Sequence, residues 1–169
     1  MTSTASELRT RKWTRDHYLV STDPSLVPIA DLNAAFASEA CYWAKPLPEP
    51  AVAEMLQQSL CFGLYDLVGP AGSAFIGFAR VITDFTTFAF VTDVWVDPST
   101  QGKGLGRWLV GCVQEVFEGM PHLRRSMLLT GDWERSVPFY ERLMKMEVVG
   151  SRPGEGVAVM QMKGRGNVS

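Results

Sequence analysis

Three glycines spaced two apart, Gly102, Gly104 and Gly106, stand between an apolar run ending at Val96 and an amphipathic run starting at Leu105. Where a strand gives way to a helix, the first N–H groups of the helix lack intrahelical partners and its dipole end is positive. Such a corner holds phosphate oxygens, and glycines let the main chain approach them because no Cβ intervenes. The turn therefore reads as an anion seat with a diphosphate as its candidate occupant; the alternative is a tight turn that needs glycine only for its dihedrals. It is not the dinucleotide fingerprint GxGxxG, whose third glycine is replaced by Arg107 counted from Gly102 and by Leu109 counted from Gly104. It is not a P-loop either, because Lys103 is followed by Gly104 rather than by Ser or Thr.

Other chemistries find less support. Cys41, Cys61 and Cys112 form no CxxC pair and no even disulfide set, and they read as reduced core residues of a cytoplasmic protein. His17 and His122 belong to no Cys/His cluster or HExxH motif, so no metal is expected. A formal net charge of −2 gives no general attraction to nucleic acid, and any anion site must be local. No apolar run approaches the roughly 18 residues of a membrane span.

The elements that must position the turn follow from periodicity. The 169 residues suit one core, and 46% of them are apolar. Residues 1–15, rich in Ser, Thr and Arg, read as a loose tail, and 164–169 as a second; 16–163 form the domain. A short strand at 17–23 leads to a helix entered at Pro24 behind an Asp23 cap, and prolines 46, 48 and 50 announce a second helix. Three strands follow, at 61–68, 73–84 and 88–97, the last apolar enough to be central. Leu105, Trp108, Leu109, Cys112, Val113, Val116 and Phe117 then recur at helical spacing. A strand at 124–132, a short helix at 133–143 and a terminal hairpin complete an α/β (α+β) order. The expected sheet is mixed and mostly antiparallel, with about seven strands flanked by about four helices.

Two blocks carry a family resemblance. Gln101-Gly102-Lys103-Gly104-Leu105-Gly106 resembles the Gln/Arg-x-x-Gly-x-Gly/Ala signature of the GCN5-related N-acetyltransferases, the GNAT family. The segment "WERSVPFYERLMKM" is similar to that family's Asn-x-x-Ala-x-x-x-Tyr-Glu-Lys helix, with Ser136 at the Ala position and Tyr140 at the Tyr position. Trp133 stands where the family often has an Asn that bonds the pantetheine arm, and "LMKM" replaces the usual Gly-Phe.

The resemblance implies acetyl-CoA, with the pantetheine along the backbone of Val94, Trp95 and Val96 and the diphosphate on the amides of Gln101 to Arg107. Lys103 and Arg107 either add charge-assisted contacts to phosphate or remain solvated surface. Tyr140 is implied as the acid that protonates the departing thiolate, and Trp133 and Ser136 as further cofactor contacts. The attacking amine must be neutral, so a group resembling lysine, with a pKa of about 10.4, has to lose a proton. Asp93 is implied as the carboxylate that takes it, directly or through water, or else is a buried structural Asp; Asp84 is the weaker alternative. Tyr42 and Trp43 form an aromatic wall for the acceptor or close the helix pair. Arg80 pairs with a substrate carboxylate or with Asp93. The implied function is an N-acetyltransferase acting on a small-molecule amine by direct attack in a ternary complex, without nucleic acid or membrane and with room for a homodimer. A peptide acceptor and a non-catalytic acyl-CoA-binding module stay open as alternatives.

Overall fold

The apolar run that ends at Val96 is a central strand of a mixed sheet, with helices packed on both faces. The computed structural model describes residues 5–150 and 152–165. In chain order the elements are α1 (Ala5–Leu8), β1 (Lys12–Arg15), β2 (Tyr18–Ser21), α2 (Ile29–Phe36), α3 (Glu49–Gln58), β3 (Leu60–Gly69) and β4 (Gly72–Thr83). They continue with β5 (Phe88–Val96), α4 (Leu105–Glu118), β6 (Arg125–Thr130), α5 (Ser136–Met144), β7 (Glu147–Val148) and β8 (Ala158–Lys163). The strands form one sheet in the order β1-β2-β3-β4-β5-β6-β8-β7. Every neighbouring pair is antiparallel except β5 and β6, which run parallel.

The expected class is found, with eight strands and five helices among the described residues rather than seven and four. The additions lie in the segment expected as a loose tail. There α1 buries Leu8, and β1 pairs with β2 through a tight turn at Asp16, whose φ is 53°. Aspartate tolerates this left-handed backbone better than most residues, which makes so short a hairpin feasible. Residues 1–4 and 166–169 lie outside the described residues.

The long first helix expected behind Asp23 is interrupted. Asp23 caps only a 3-10 turn at Pro24–Leu26, and Pro28 then forces an extended residue before α2 begins. The proline-marked entry to α3 is as expected, with Pro50 in its first turn.

Alternation in the strands divides the core. Leu60, Phe62 and Leu64 of β3 face α4 and α5, whereas Cys61 faces α2 and α3 together with Phe78 of β4. The α4 stripe of Leu105, Leu109, Val113 and Val116 is fully sealed against the first face. Burial of four such side chains is worth on the order of 6–12 kcal/mol before chain entropy is counted, so the helix start and the glycine turn before it are firmly anchored.

Candidate active site

The site begins with a break in β5. Its pairing with β4 runs from Thr83↔Ala89 to Arg80↔Thr92 and resumes at Phe78↔Trp95, so that Asp93 and Val94 together oppose Ala79. This is a β-bulge, and Asp93 sits in it with φ 52°. Its effect is visible in the packing. Before the bulge Ala89 and Val91 face α4; beyond it Val94 and Val96 face α4, and Trp95 turns to the α2/α3 side. One extra residue has reversed the facing of the strand's last turn of pleat.

At the same place β5 parts from β6. Their parallel pairing ends at Val91↔Leu128, while β6 continues to pair with β8 as far as Thr130↔Ala158. The β6-facing edge of Thr92–Val96 therefore has no strand partner among the described residues, and an extended chain could bond to it as an added strand.

The open edge leads to the glycine turn. Asp97 caps a 3-10 turn at Pro98–Thr100 and accepts from the Ser99 N–H at 2.9 Å. The Gln101 N–H is taken by the Pro98 carbonyl at 3.3 Å. From Gly102 to Arg107 the main-chain N–H groups donate to no protein acceptor among the described residues, and Trp108 makes the first bond of the helix, to Gly104. Gly102 and Gly104 have φ values of 87° and 69°, a region that side chains resist. The free amides thus begin at Gly102, the Gln101 amide being used within the 3-10 turn. Leu105 is buried, so it can contribute its amide only, and Arg107 is exposed on the first turn of α4. Lys103 turns its Nζ to the Tyr18 hydroxyl at 3.3 Å.

Tyr140 and Asp93 are the two ionisable side chains expected to take part in the reaction. The Tyr140 ring is buried on α5, and burial pushes its phenol pKa upward, so the hydroxyl stays protonated at neutral pH. Among the described residues, none is seen to hydrogen-bond to that hydroxyl. Asp93, 8% exposed, accepts from Arg80 Nε at 2.7 Å through Oδ2 and from Trp43 Nε1 at 3.2 Å through Oδ1. Arg80 also donates to Ser59 Oγ at 3.2 Å. Arg80 is therefore the partner of Asp93, and its charge is already answered by protein. Tyr42 and Trp43 do not close the helix pair: they are 71% and 43% exposed and meet edge to face at 5.1 Å.

A cavity of about 550 Å³ opens beside them, lined by Tyr42, Gly131, Asp132, Trp133, Glu134 and Gly154. Trp133 gives its Nε1 proton to the Gly156 carbonyl and so ties the loop before β8 to the start of α5. Ser136 opens α5, with its N–H on the Asp132 carbonyl at 3.1 Å.

The sequence model of the acetyltransferase (GNAT) family matches residues 32–146, a span that contains the bulged strand, the glycine turn and Tyr140. The chain belongs to the GNAT acetyltransferases. As an acyltransferase of that family it is similar to a Gibberella zeae protein named as an acetyltransferase, 44% identical over 72% of this chain and 76% of the relative. A solved GNAT-family structure from Xanthomonas campestris is 31% identical, with a TM-score of 0.61 over 83% of this chain and 97% of that one. The fold is shared with spermidine N-acetyltransferase from Vibrio cholerae, solved with CoA and spermine, at 16% identity and a TM-score of 0.62 over 88% and 96% of the two chains.

Two other routes to acyl transfer in this GNAT acetyltransferase are disfavoured by environment. Cys41, Cys61 and Cys112 are buried, and burial pushes their thiols to about 11, 12 and 12, so none offers a thiolate nucleophile at neutral pH. Asp84 is made a poorer base: partial burial alone would raise its pKa, but bonds from the Thr87 hydroxyl and the amides of Thr87, Thr86 and Phe88 hold it well below the usual carboxylate range.

The sequence missed the bulge, the Trp43–Asp93 bond and the Asp132–Glu134 rim of the cavity. The bulge left no alternation signal that could be read, since the strand is apolar on both sides of Thr92 and Asp93. A lone Asp inside that apolar run was the available clue.

Proposed function

We propose that this GNAT protein is an acetyl-CoA-dependent N-acetyltransferase acting on a small-molecule amine in the cytoplasm. The observation that carries this reading is the run of amides from Gly102 to Arg107 that have no acceptor among the described residues, reached through one 3-10 turn from the edge of Val94 to Val96, which has no strand partner among them. That combination suits a ligand that is an anion at one end and an extended amide-bearing arm at the other. Lys103, on releasing Tyr18, and Arg107 add charge beside the amides. Acetyl-CoA supplies an acyl group activated as a thioester.

The chain's own groups then divide the work. Tyr140, protonated and without a hydrogen-bond partner among the described residues, donates a hydrogen bond and then its proton to the leaving sulfur. The Val94 N–H, on the open edge, stabilises negative charge on the acyl oxygen. Asp93 keeps lone pairs beyond those used by Arg80 and Trp43, and it takes the amine's proton directly or through water. The cavity beside Tyr42 receives the acceptor, with two aromatic rings and the carboxylates of Asp132 and Glu134 suited to a cationic amine. Trp133 acts there as a wall. No covalent enzyme intermediate is required, in keeping with the buried thiols.

The test is thiol release from acetyl-CoA across a panel of amines, paired with CoA binding by calorimetry. Binding together with amine-dependent release supports the reading. Binding with no release for any amine would make the chain an acyl-CoA-binding module, and no binding would remove the reading altogether.

A further inference from the structure

The N-terminal hairpin reaches the glycine turn. Arg15, the last residue of β1, donates from Nη2 to the Lys103 carbonyl at 3.0 Å, and its guanidinium carbon lies 4.9 Å from the centre of the Trp108 ring. One side chain therefore touches both the glycine turn and the first turn of α4. Separately, Trp13 of the same hairpin donates to Glu115 Oε2 at 3.0 Å, farther along α4 and away from the turn.

Peptide geometry gives the Arg15 contact a consequence. In a trans peptide the C=O of one residue and the N–H of the next point to opposite sides. Holding the Lys103 carbonyl toward Arg15 therefore aims the Gly104 N–H away from the hairpin, and that N–H has no acceptor among the described residues. The peptide plane in question joins Lys103 to Gly104, and it turns about φ of Gly104, a glycine at 69° with no Cβ to resist the rotation. The Arg15 contact is a restraint on that plane from outside the turn.

We infer that Arg15 is a positioning residue for the diphosphate seat, fixing the direction of the Gly104 amide before the ligand arrives. This rests on the reading of Gly102–Arg107 as that seat. A loop ordered in advance does not have to be ordered by the ligand, so the gain is in affinity for the part of the donor that the loop touches. The guanidinium's planar fork over an aromatic ring is not reproduced by lysine, although the charge is.

The test compares two donors, acetyl-CoA and S-acetylpantetheine, which keeps the thioester and the arm but has neither diphosphate nor nucleotide. Arg15→Ala is expected to lower kcat/KM for acetyl-CoA about tenfold, chiefly through KM, while S-acetylpantetheine changes by less than about twofold. Arg15→Lys should recover part of the loss, and it carries the same comparison if the alanine variant does not fold. Trp13→Phe, which frees Glu115 but leaves the turn untouched, should leave both donors as they are. Equal losses on both donors, no loss on acetyl-CoA, or the same loss from Trp13→Phe would each overturn the inference. A wild-type protein that handles the two donors equally well would remove the diphosphate seat itself, and this inference with it.

Discussion

Arg80 and Asp93 meet at 2.7 Å from neighbouring strands, and they do so because a bulge has rotated Asp93 into a left-handed backbone and toward the α2/α3 side. Trp43, from the segment between α2 and α3, completes the contact at 3.2 Å. The bulge lies where the pairing of β5 with β6 ends, and it delivers the carboxylate to the α2/α3 side, where Arg80 and Trp43 hold it.

Asp93→Asn keeps a residue that tolerates positive φ and can still accept from Trp43, but it breaks the ion pair. The expected costs are about 1–3 kcal/mol of stability by urea unfolding and at least about 100-fold in kcat. Asp93→Ala should unfold more easily still, because it also strains the bulge. Near-wild-type turnover of Asp93→Asn would leave the carboxylate a structural role only.

Tyr140→Phe should bind CoA as tightly as wild type while kcat falls about 100-fold. Burial raises the phenol's pKa, so the hydroxyl remains protonated, and the ratio of wild-type to variant rates should stay flat between about pH 7 and about pH 9. Equal rates for the two proteins over that range would exclude Tyr140 as the proton donor.

Gly104→Glu puts a side chain at φ 69° and a negative charge at the amide seat. A loss of CoA affinity of more than about 100-fold is expected in calorimetry, with far-UV circular dichroism unchanged. Retained affinity would move the anion away from this turn.

Iodoacetamide at about pH 8 should leave activity intact, since the three thiols are buried and burial has pushed their pKa values to about 11 and 12. Rapid inactivation with label on any of the three would mean that a cysteine faces the reaction.

Asp84 offers a test of the turn that starts β5. Its folded-state pKa lies below the unfolded value, so the stability it provides is complete above about pH 4 and is lost as pH falls through the folded value. Asp84→Asn should lower Tm by about 2–4 °C at neutral pH, and the gap should close on acidification below about pH 4. A gap that held constant there would assign the turn's stability elsewhere.

The parts legible in the sequence were those with a strong local pattern. Leu105, Leu109, Val113 and Val116 announced α4, three alternate glycines announced the turn, and the spacing from Trp133 through Ser136 to Tyr140 placed the phenol on α5. The illegible parts depend on contacts remote in sequence. The β1 strand is four residues long and half charged, and it is held by Tyr18 to Ser21 and by Trp13 and Arg15 on α4 and the glycine turn. The bulge at Asp93 is a matter of register against β4, which an apolar run does not display. Trp43 reaches Asp93 across a separation of 50 residues, which no local pattern displays.

The central claim is that free amides of the glycine turn hold the donor's diphosphate, and amide chemical-shift mapping tests it most directly. Titrating isotopically labelled protein with CoA should move the resonances of Gly102 to Arg107 most, with Val94 and Val96 next, whereas S-acetylpantetheine should move Val94 and Val96 and leave the turn in place. Shifts from CoA that bypass Gly102 to Arg107, or a turn that responds equally to the donor lacking a diphosphate, would contradict it.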